Sequence, residues 1–325
     1  MTVRLGVLGA GWIGRDRMRA VVADGLAEVV AVADPAAEVA REAAVEVGAR
    51  VVPPDELLAG GYDGVLIATP SALHAEQAVT ALNKGMAVFC QKPLGRTAAE
   101  CAVVVGAARR ADLLLAADLS YRHLRASTAL RDVIAAGGIG EVYAADLVFH
   151  NAYGPDKAWF LDPALAGGGC VIDLGIHLVD LALWMLDRPK VAGVSARLFA
   201  GGRPLGGRTG VVEDHALARV DLASGAVLTV ACSWFLHAGR DAVIDATFFG
   251  TSGAVTLHNV AGSFYDFRAE RLEGTRRTTL VEPPDAWGGR AAVAWARRLA
   301  AGARFDPAAD ELVEVAAVLD GMYGR

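Results

Sequence analysis

The stretch that most limits the fold of this chain lies at its start. A short apolar run, Val3 to Leu8, leads directly into Gly9-Ala10-Gly11-Trp12-Ile13-Gly14 and then into a segment of helical pattern. Strand, glycine turn and helix in that order form a dinucleotide-binding fingerprint. Gly9 allows the tight turn, Gly11 lets the backbone approach a pyrophosphate, and Gly14 permits close packing of helix on strand. The helix start, with Trp12 and Ile13, presents free N–H groups to the phosphates. A lone glycine pattern is weak evidence, but the next apolar run, Val29 to Ala33, ends at Asp34. An acid about 20 residues past the last glycine can accept hydrogen bonds from both adenosine-ribose hydroxyls. A carboxylate there repels a 2′-phosphate, and Pro35-Ala36-Ala37 supplies no Arg or Ser to bind one, which favours NAD over NADP. Arg41 lies close enough to leave that preference open.

The length of 325 residues exceeds what a single core usually fills and implies two domains. A hydrophobic share of 54% with 21% charged residues fits a compact globular enzyme rather than a disordered chain. A formal net charge of −6 gives no basic footprint for nucleic acid. No uninterrupted apolar stretch approaches the ~18 to 20 residues of a membrane span, and a core strand beginning at Val3 leaves no room for a signal peptide. These features imply a cytoplasmic protein. Cys90, Cys101, Cys170 and Cys232 show no metal-ligand spacing, so buried thiols are expected and no metal site.

The first third alternates strand and helix: strands at 3–8, 29–33, 64–68, 87–90 and 113–117, with helices over 38–47, 74–84 and 98–110 and another from about residue 13. This is the pattern of an α/β protein, a doubly wound parallel sheet. From residue 120 the texture changes. A helix over 125–135 and a strand near 142–149 precede successive strands near 191–199, 213–222, 225–235, 242–249 and 253–258, the pattern of an open, predominantly antiparallel sheet in an α+β domain. The glycine-rich stretch 201–208 reads as a surface loop, with a lid or an oligomer arm as alternatives. Helices at 287–301 and 308–323 close the chain. The expected domains are a Rossmann unit over 1–119 and a second unit over 120–325, whose terminal helices can pack back on the first.

Two further places carry chemistry. In Gly-Gly-Gly-Cys-Val-Ile-Asp-Leu-Gly-Ile-His, Asp173 and His177 stand four residues apart, which on a helix puts a carboxylate and an imidazole on one face. That suits proton transfer. It equally suits a helix N-terminal acid and a half-buried histidine bonded to a backbone carbonyl. After the strand ending at Cys90 comes Gln91-Lys92-Pro93 at the carboxyl edge of the sheet, where ligands bind. Lys92 there is either a donor to a substrate hydroxyl or a solvent-facing loop residue.

Among weaker candidates, Trp159 and Phe160 suit either a sugar-site wall or the core, with Asp156 as a hydroxyl ligand. Tyr121, Arg122 and His123 open the second domain. His237, like Trp234, follows a strand of the sheet and reaches substrate only if that edge faces the cleft.

In the order and spacing of these motifs the chain resembles the Gfo/Idh/MocA oxidoreductases, the family of glucose-fructose oxidoreductase and inositol dehydrogenase. The resemblance rests on Gly9 to Gly14, Ala68-Thr69-Pro70 with His74, Gln91-Lys92-Pro93, Gly167-Gly168-Gly169, and the helix of Asp173 and His177. It continues through Val212-Glu213-Asp214, Ser233-Trp234 and Gly250-Thr251-Ser252-Gly253.

It implies NAD(P)-linked oxidation or reduction of sugars, inositols or related polyols, and a homodimer or homotetramer formed through the second-domain sheet. Lys92 matches the lysine that holds the substrate hydroxyl beside the nicotinamide, His177 the acid/base, and Asp173 the carboxylate that binds substrate and orients the histidine. Thr69, Pro70, His74 and Gln91 fall at cofactor-binding positions.

Two positions depart from the family. Gln91 stands where Glu is usual, and Ser120 where many members have Asn. Besides a dehydrogenase, the pattern admits an NAD-retaining glycoside-cleaving enzyme with transient redox, and a non-catalytic dinucleotide sensor.

Overall fold

The computed structural model describes residues 2–208 and 210–325. It divides into two units, residues 1–120 with 288–314, and residues 121–287 with 315–325.

In the first unit, strands β1 (Val3–Leu8), β2 (Ala27–Ala33), β3 (Arg50–Val51), β4 (Gly64–Ile67), β5 (Ala87–Cys90) and β6 (Leu115–Ala117) alternate with helices. These are α1 (Trp12–Asp24), α2 (Ala37–Val47), α3 (Pro54–Leu58), α4 (Ser71–Asn83) and α5 (Ala98–Ala111). The parallel strands lie in the order β3-β2-β1-β4-β5-β6, a doubly wound Rossmann sheet with β1 and β4 adjacent at its middle. β4 and β5 are buried throughout, as strands covered on both faces must be. A late helix, Arg290–Ala300, joins this core through Ala291, Ala292, Trp295 and Ala296. Its Trp295 ring lies 5.8 Å from that of Phe89 on β5.

The second unit opens with α6 (Arg125–Ala135) and β7 (Val142–Asn151), followed by a short helix α7 (Pro163–Ala166), a π-helical segment (Val171–Gly175) and α8 (Ile176–Met185). Strands β8 (Val191–Ala200), β9 (Arg203–Pro204), β10 (His215–Leu222), β11 (Val227–Ser233), β12 (Ala242–Gly250), β13 (Gly253–Asn259), β14 (Phe267–Glu273) and β15 (Arg276–Val281) complete it. With β7 they form a nine-stranded sheet in the order β15-β14-β13-β12-β7-β11-β10-β8-β9. Among the described residues of this sheet only β7 and β11 pair in parallel; the other pairs are antiparallel. Along β7, Ala145, Leu147 and Phe149 are buried while Asp146, Val148 and His150 are more open. That alternation fits one face packed against α6 and α8 and the other left free.

Several features differ from the sequence reading, among them β3 and α3, which it did not give. The glycine-rich stretch 201–208 contains β9, paired to β8 through Phe199 with Pro204 and Ala200 with Arg203, so part of it is an edge hairpin rather than a loop. β14 and β15 had no counterpart in the hydrophobic pattern, because Arg and Glu interrupt β14 and Arg and Thr fill most of β15. The run Pro163–Met185 spans 23 residues and is apolar enough in a window of mean hydropathy 1.5 to cross a bilayer, yet 78% of that window is buried within the protein. It belongs to the core of the protein, and it carries the helix expected from the spacing of Asp173 and His177.

Candidate functional site

The nucleotide cradle begins with the turn after β1. Gly9 has φ of +92°, and a Cβ there would lie 2.5 Å from the Ala68 carbonyl oxygen. A Cβ on Gly14 would come within 2.1 Å of the Gly9 oxygen. Neither position accepts a side chain. Gly11 is the N-cap of α1, whose first turn holds no acidic residue and receives no side-chain cap among the described residues. Its unpaired N–H groups are therefore available to an anion. Asp34 closes the cradle, with Oδ2 accepting from Ala10 N at 2.9 Å and Oδ1 from Ala36 N at 2.8 Å. Each oxygen keeps a lone pair for a ribose hydroxyl. These residues fit a dinucleotide. Trp12 is largely exposed at the start of α1, and Arg41 is tied to Glu38.

At the carboxyl ends of β4 and β5, His74 links two loops. Its Nδ1 lies 2.7 Å from the Pro93 oxygen and its Nε2 2.7 Å from the Thr69 oxygen. Burial outweighs both contacts and lowers its pKa, with Lys92 adding to the effect. Thr69 donates its hydroxyl to Gln77 at 2.5 Å. Lys92 is half-buried. Gln91 turns inward, where its amide donates to Asp118 Oδ2 at 2.5 Å, and Arg17 Nε donates to the same oxygen at 2.6 Å. Gln91 is thus fitted to a buried carboxylate, to which an amide can donate.

In the second unit, Asp173 sits in the π-helical segment and His177 in the first turn of α8. The even α-helix expected from the spacing is replaced by a wider turn, a feature common at functional sites. Asp173 is half-buried, and its Oδ2 accepts from Trp234 Nε1 at 3.0 Å. The ring of His177 packs 4.8 Å from that of Tyr121. Tyr121 is held in turn by Phe149, Phe267 and Trp287. Burial, followed by the charge of Asp173, drives the Tyr121 pKa upward, so it remains a neutral phenol.

The aromatic pair Trp159 and Phe160 stacks at 3.8 Å, and Phe160 meets Trp234 edge-on at 6.4 Å. This series of rings leads to Asp173. Arg122 is committed elsewhere: it pairs with the buried Asp180, bonding both carboxylate oxygens. Asp156 and His237 are exposed. Trp234, which bonds Asp173, is the residue that sequence reasoning left without a role, although it stands directly after β11 and within the Ser233-Trp234 motif. A cavity of about 690 Å³ in this unit lies apart from these residues, lined by groups that include Arg131, Asp132, Glu141 and Asp187.

Residues 3–119 match the model of an oxidoreductase family with an NAD-binding Rossmann fold, and residues 127–256 match the GFO/IDH/MocA C-terminal domain. The 1,5-anhydro-D-fructose reductase of Ensifer adhaerens is 33% identical over 69% of this chain and 67% of its own length. Inositol 2-dehydrogenase 3 of Saccharopolyspora erythraea is 32% identical over 80% of this chain and 75% of its own. The structure of GenD2 from gentamicin A biosynthesis, in complex with NAD, superposes with a TM-score of 0.84 at 26% identity, covering 99% of this chain and 93% of that one. With its glycine cradle, Asp34 and two matched domains, this chain belongs to the Gfo/Idh/MocA oxidoreductases and is an NAD(P)-dependent enzyme.

Proposed function

We propose that the enzyme moves a hydride between nicotinamide and a secondary alcohol carbon of a sugar, inositol or related polyol. The observation that carries this reading is the Asp173 carboxylate, held by the Trp234 indole on the helical run that also bears His177. The bound nicotinamide supplies the hydride acceptor or donor.

In the oxidising direction His177 takes the hydroxyl proton on an imidazole nitrogen, and Asp173 binds a substrate hydroxyl and orients the ring. Lys92 holds the reacting oxygen and stabilises the charge that develops on it. Tyr121 fixes the plane of the imidazole, while Trp159 and Asp156 supply an apolar wall and a hydroxyl ligand.

NAD is the preferred cofactor, because the Asp34 carboxylate beside the glycine turn would accept from ribose hydroxyls and repel a 2′-phosphate, and Arg41 is engaged with Glu38. The open face of the nine-stranded sheet, with Leu217 exposed on β10, is the surface on which a second copy assembles. Four free, buried cysteines fit the reducing cytoplasm.

An absorbance screen with NAD(H) over inositols, aldoses, keto-sugars and glycosides tests the reading. Net NADH accumulation with a polyol, weaker turnover with NADP, and a kcat lower by ~10² or more in His177→Ala are expected. A hydrolysed glycoside without net NADH would replace hydride export by transient redox. NAD binding without turnover across the panel would replace catalysis by sensing.

A further inference from the structure

Asp173 is held from two directions, and both lead back to one dipeptide. Glu213 is 1% exposed and lies just before β10. Its Oε1 accepts from Gly169 N at 2.9 Å, Val171 N at 2.9 Å and the Tyr323 hydroxyl at 2.7 Å. Its backbone oxygen accepts from Cys170 N at 3.1 Å. Three successive N–H groups at the start of the π-helical segment are therefore bound to a single residue. The next residue, Asp214, takes up the other side: its backbone oxygen accepts from Trp234 N at 2.8 Å. Trp234 is the residue whose indole holds Asp173 Oδ2 at 3.0 Å.

We propose that Glu213-Asp214 is the positioning device of the site, fixing both the helical turn that carries Asp173 and the indole that holds its carboxylate. The inference rests on the functional reading above only for the role of Asp173; the geometry stands without it. An ordinary helix cap would bond the helix start alone. Here the same dipeptide also sets the residue that bonds the helix's reactive side chain, closing a ring of contacts through Gly169, Val171, Asp173, Trp234 and Asp214. The contact is too close to admit a side chain at Gly169, where a Cβ would fall 1.9 Å from the Glu213 backbone oxygen. Burial raises the Glu213 pKa even against the bonds made to it.

The test uses the full-length protein labelled with 15N. The indole N–H resonance of Trp234, one of six such signals, is assigned with Trp234→Phe. In Asp173→Asn it moves upfield, because the charged acceptor is gone. In Glu213→Ala it is expected to move in the same direction or broaden, and in Glu213→Gln, which retains an acceptor oxygen, to return toward its original position. If Glu213→Ala does not fold, Tyr323→Phe removes one of the donors to Oε1 and gives a smaller shift of the same sign. An unmoved resonance in a folded Glu213→Ala or Tyr323→Phe overturns the proposal.

On a substrate found by the screen, Glu213→Ala lowers kcat about tenfold or more, leaves NADH affinity unchanged, and causes no further loss in an Asp173→Asn background. An equal fold loss in both backgrounds means that Glu213 does not act through Asp173. A moved resonance in a protein that turns over no polyol would sink the catalytic reading of Asp173 while leaving the positioning intact.

Discussion

Gln91 illustrates how one side chain is chosen by its partner. Its amide donates to Asp118, which is 1% exposed, and Arg17 is the cation bonded to the same oxygen. Burial opposes the charge on Arg17, but Asp118 and Asp16 outweigh it and raise its pKa, so the cation persists. Gln91→Glu would place a second carboxylate against Asp118 with one guanidinium to serve both. Two acids sharing a buried site cannot both ionise freely, so the new glutamate has its folded pKa raised. The penalty is fully present above that raised value and shrinks as pH falls toward the unfolded value of about 4.3. The variant should lose on the order of 2 kcal/mol at pH 7. Urea midpoints at pH 7 and pH 5 check this, and a loss as large at pH 5 as at pH 7 would show that charge is not its cause.

Elements follow their local patterns where burial and turn chemistry agree. β1, its glycine turn and α1 were legible because Gly9 and Gly14 meet steric needs that only glycine satisfies. β14 and β15 were not, since Arg and Glu in β14 and Arg and Thr in β15 leave little hydrophobic periodicity. β9 was hidden by Pro204, which is tolerated on an edge strand and argues against a strand elsewhere. The π-helical segment escaped for a different reason. Val171 to Gly175 reads as ordinary helix, and the wider turn coincides with backbone N–H groups donating to Glu213, 42 residues away from Val171. Asp173 and His177 could be named from spacing and Lys92 from its place after β5, whereas the Trp234 bond joins residues 61 positions apart and has no local signature.

The turn after β1 gives the prediction at this scale. In Gly14→Ala the new methyl would sit 2.1 Å from the Gly9 oxygen, a backbone atom that cannot rotate aside. The α1 start must therefore move away from β1. A stability loss of about 1–3 kcal/mol and a weaker NADH complex are expected by urea unfolding and fluorescence titration. Full NADH affinity would show that the cradle does not depend on this packing.

At the scale of the whole molecule, acid sensitivity is distributed over both units. His74 in the first is fully enclosed, and burial lowers its pKa against two carbonyl contacts. His150 in the second bonds Ser233 at 2.8 Å, and burial with the neighbouring His215 lowers its pKa as well. Both folded values lie below the unfolded value of about 6.5, so between the two the unfolded chain binds protons that the folded chain refuses. Stability is therefore fully present above about pH 6.5 and is lost as pH falls through the folded values, by at most about 1.4 kcal/mol per pH unit for each histidine. His74→Asn and His150→Asn should each flatten the decline of the urea midpoint between pH 7.5 and 5.5. Because the two sites lie in different units and share no partner, their effects should add, leaving the double variant flatter than either single one. A double variant as steep as the wild-type protein would place the acid sensitivity in the carboxylates instead.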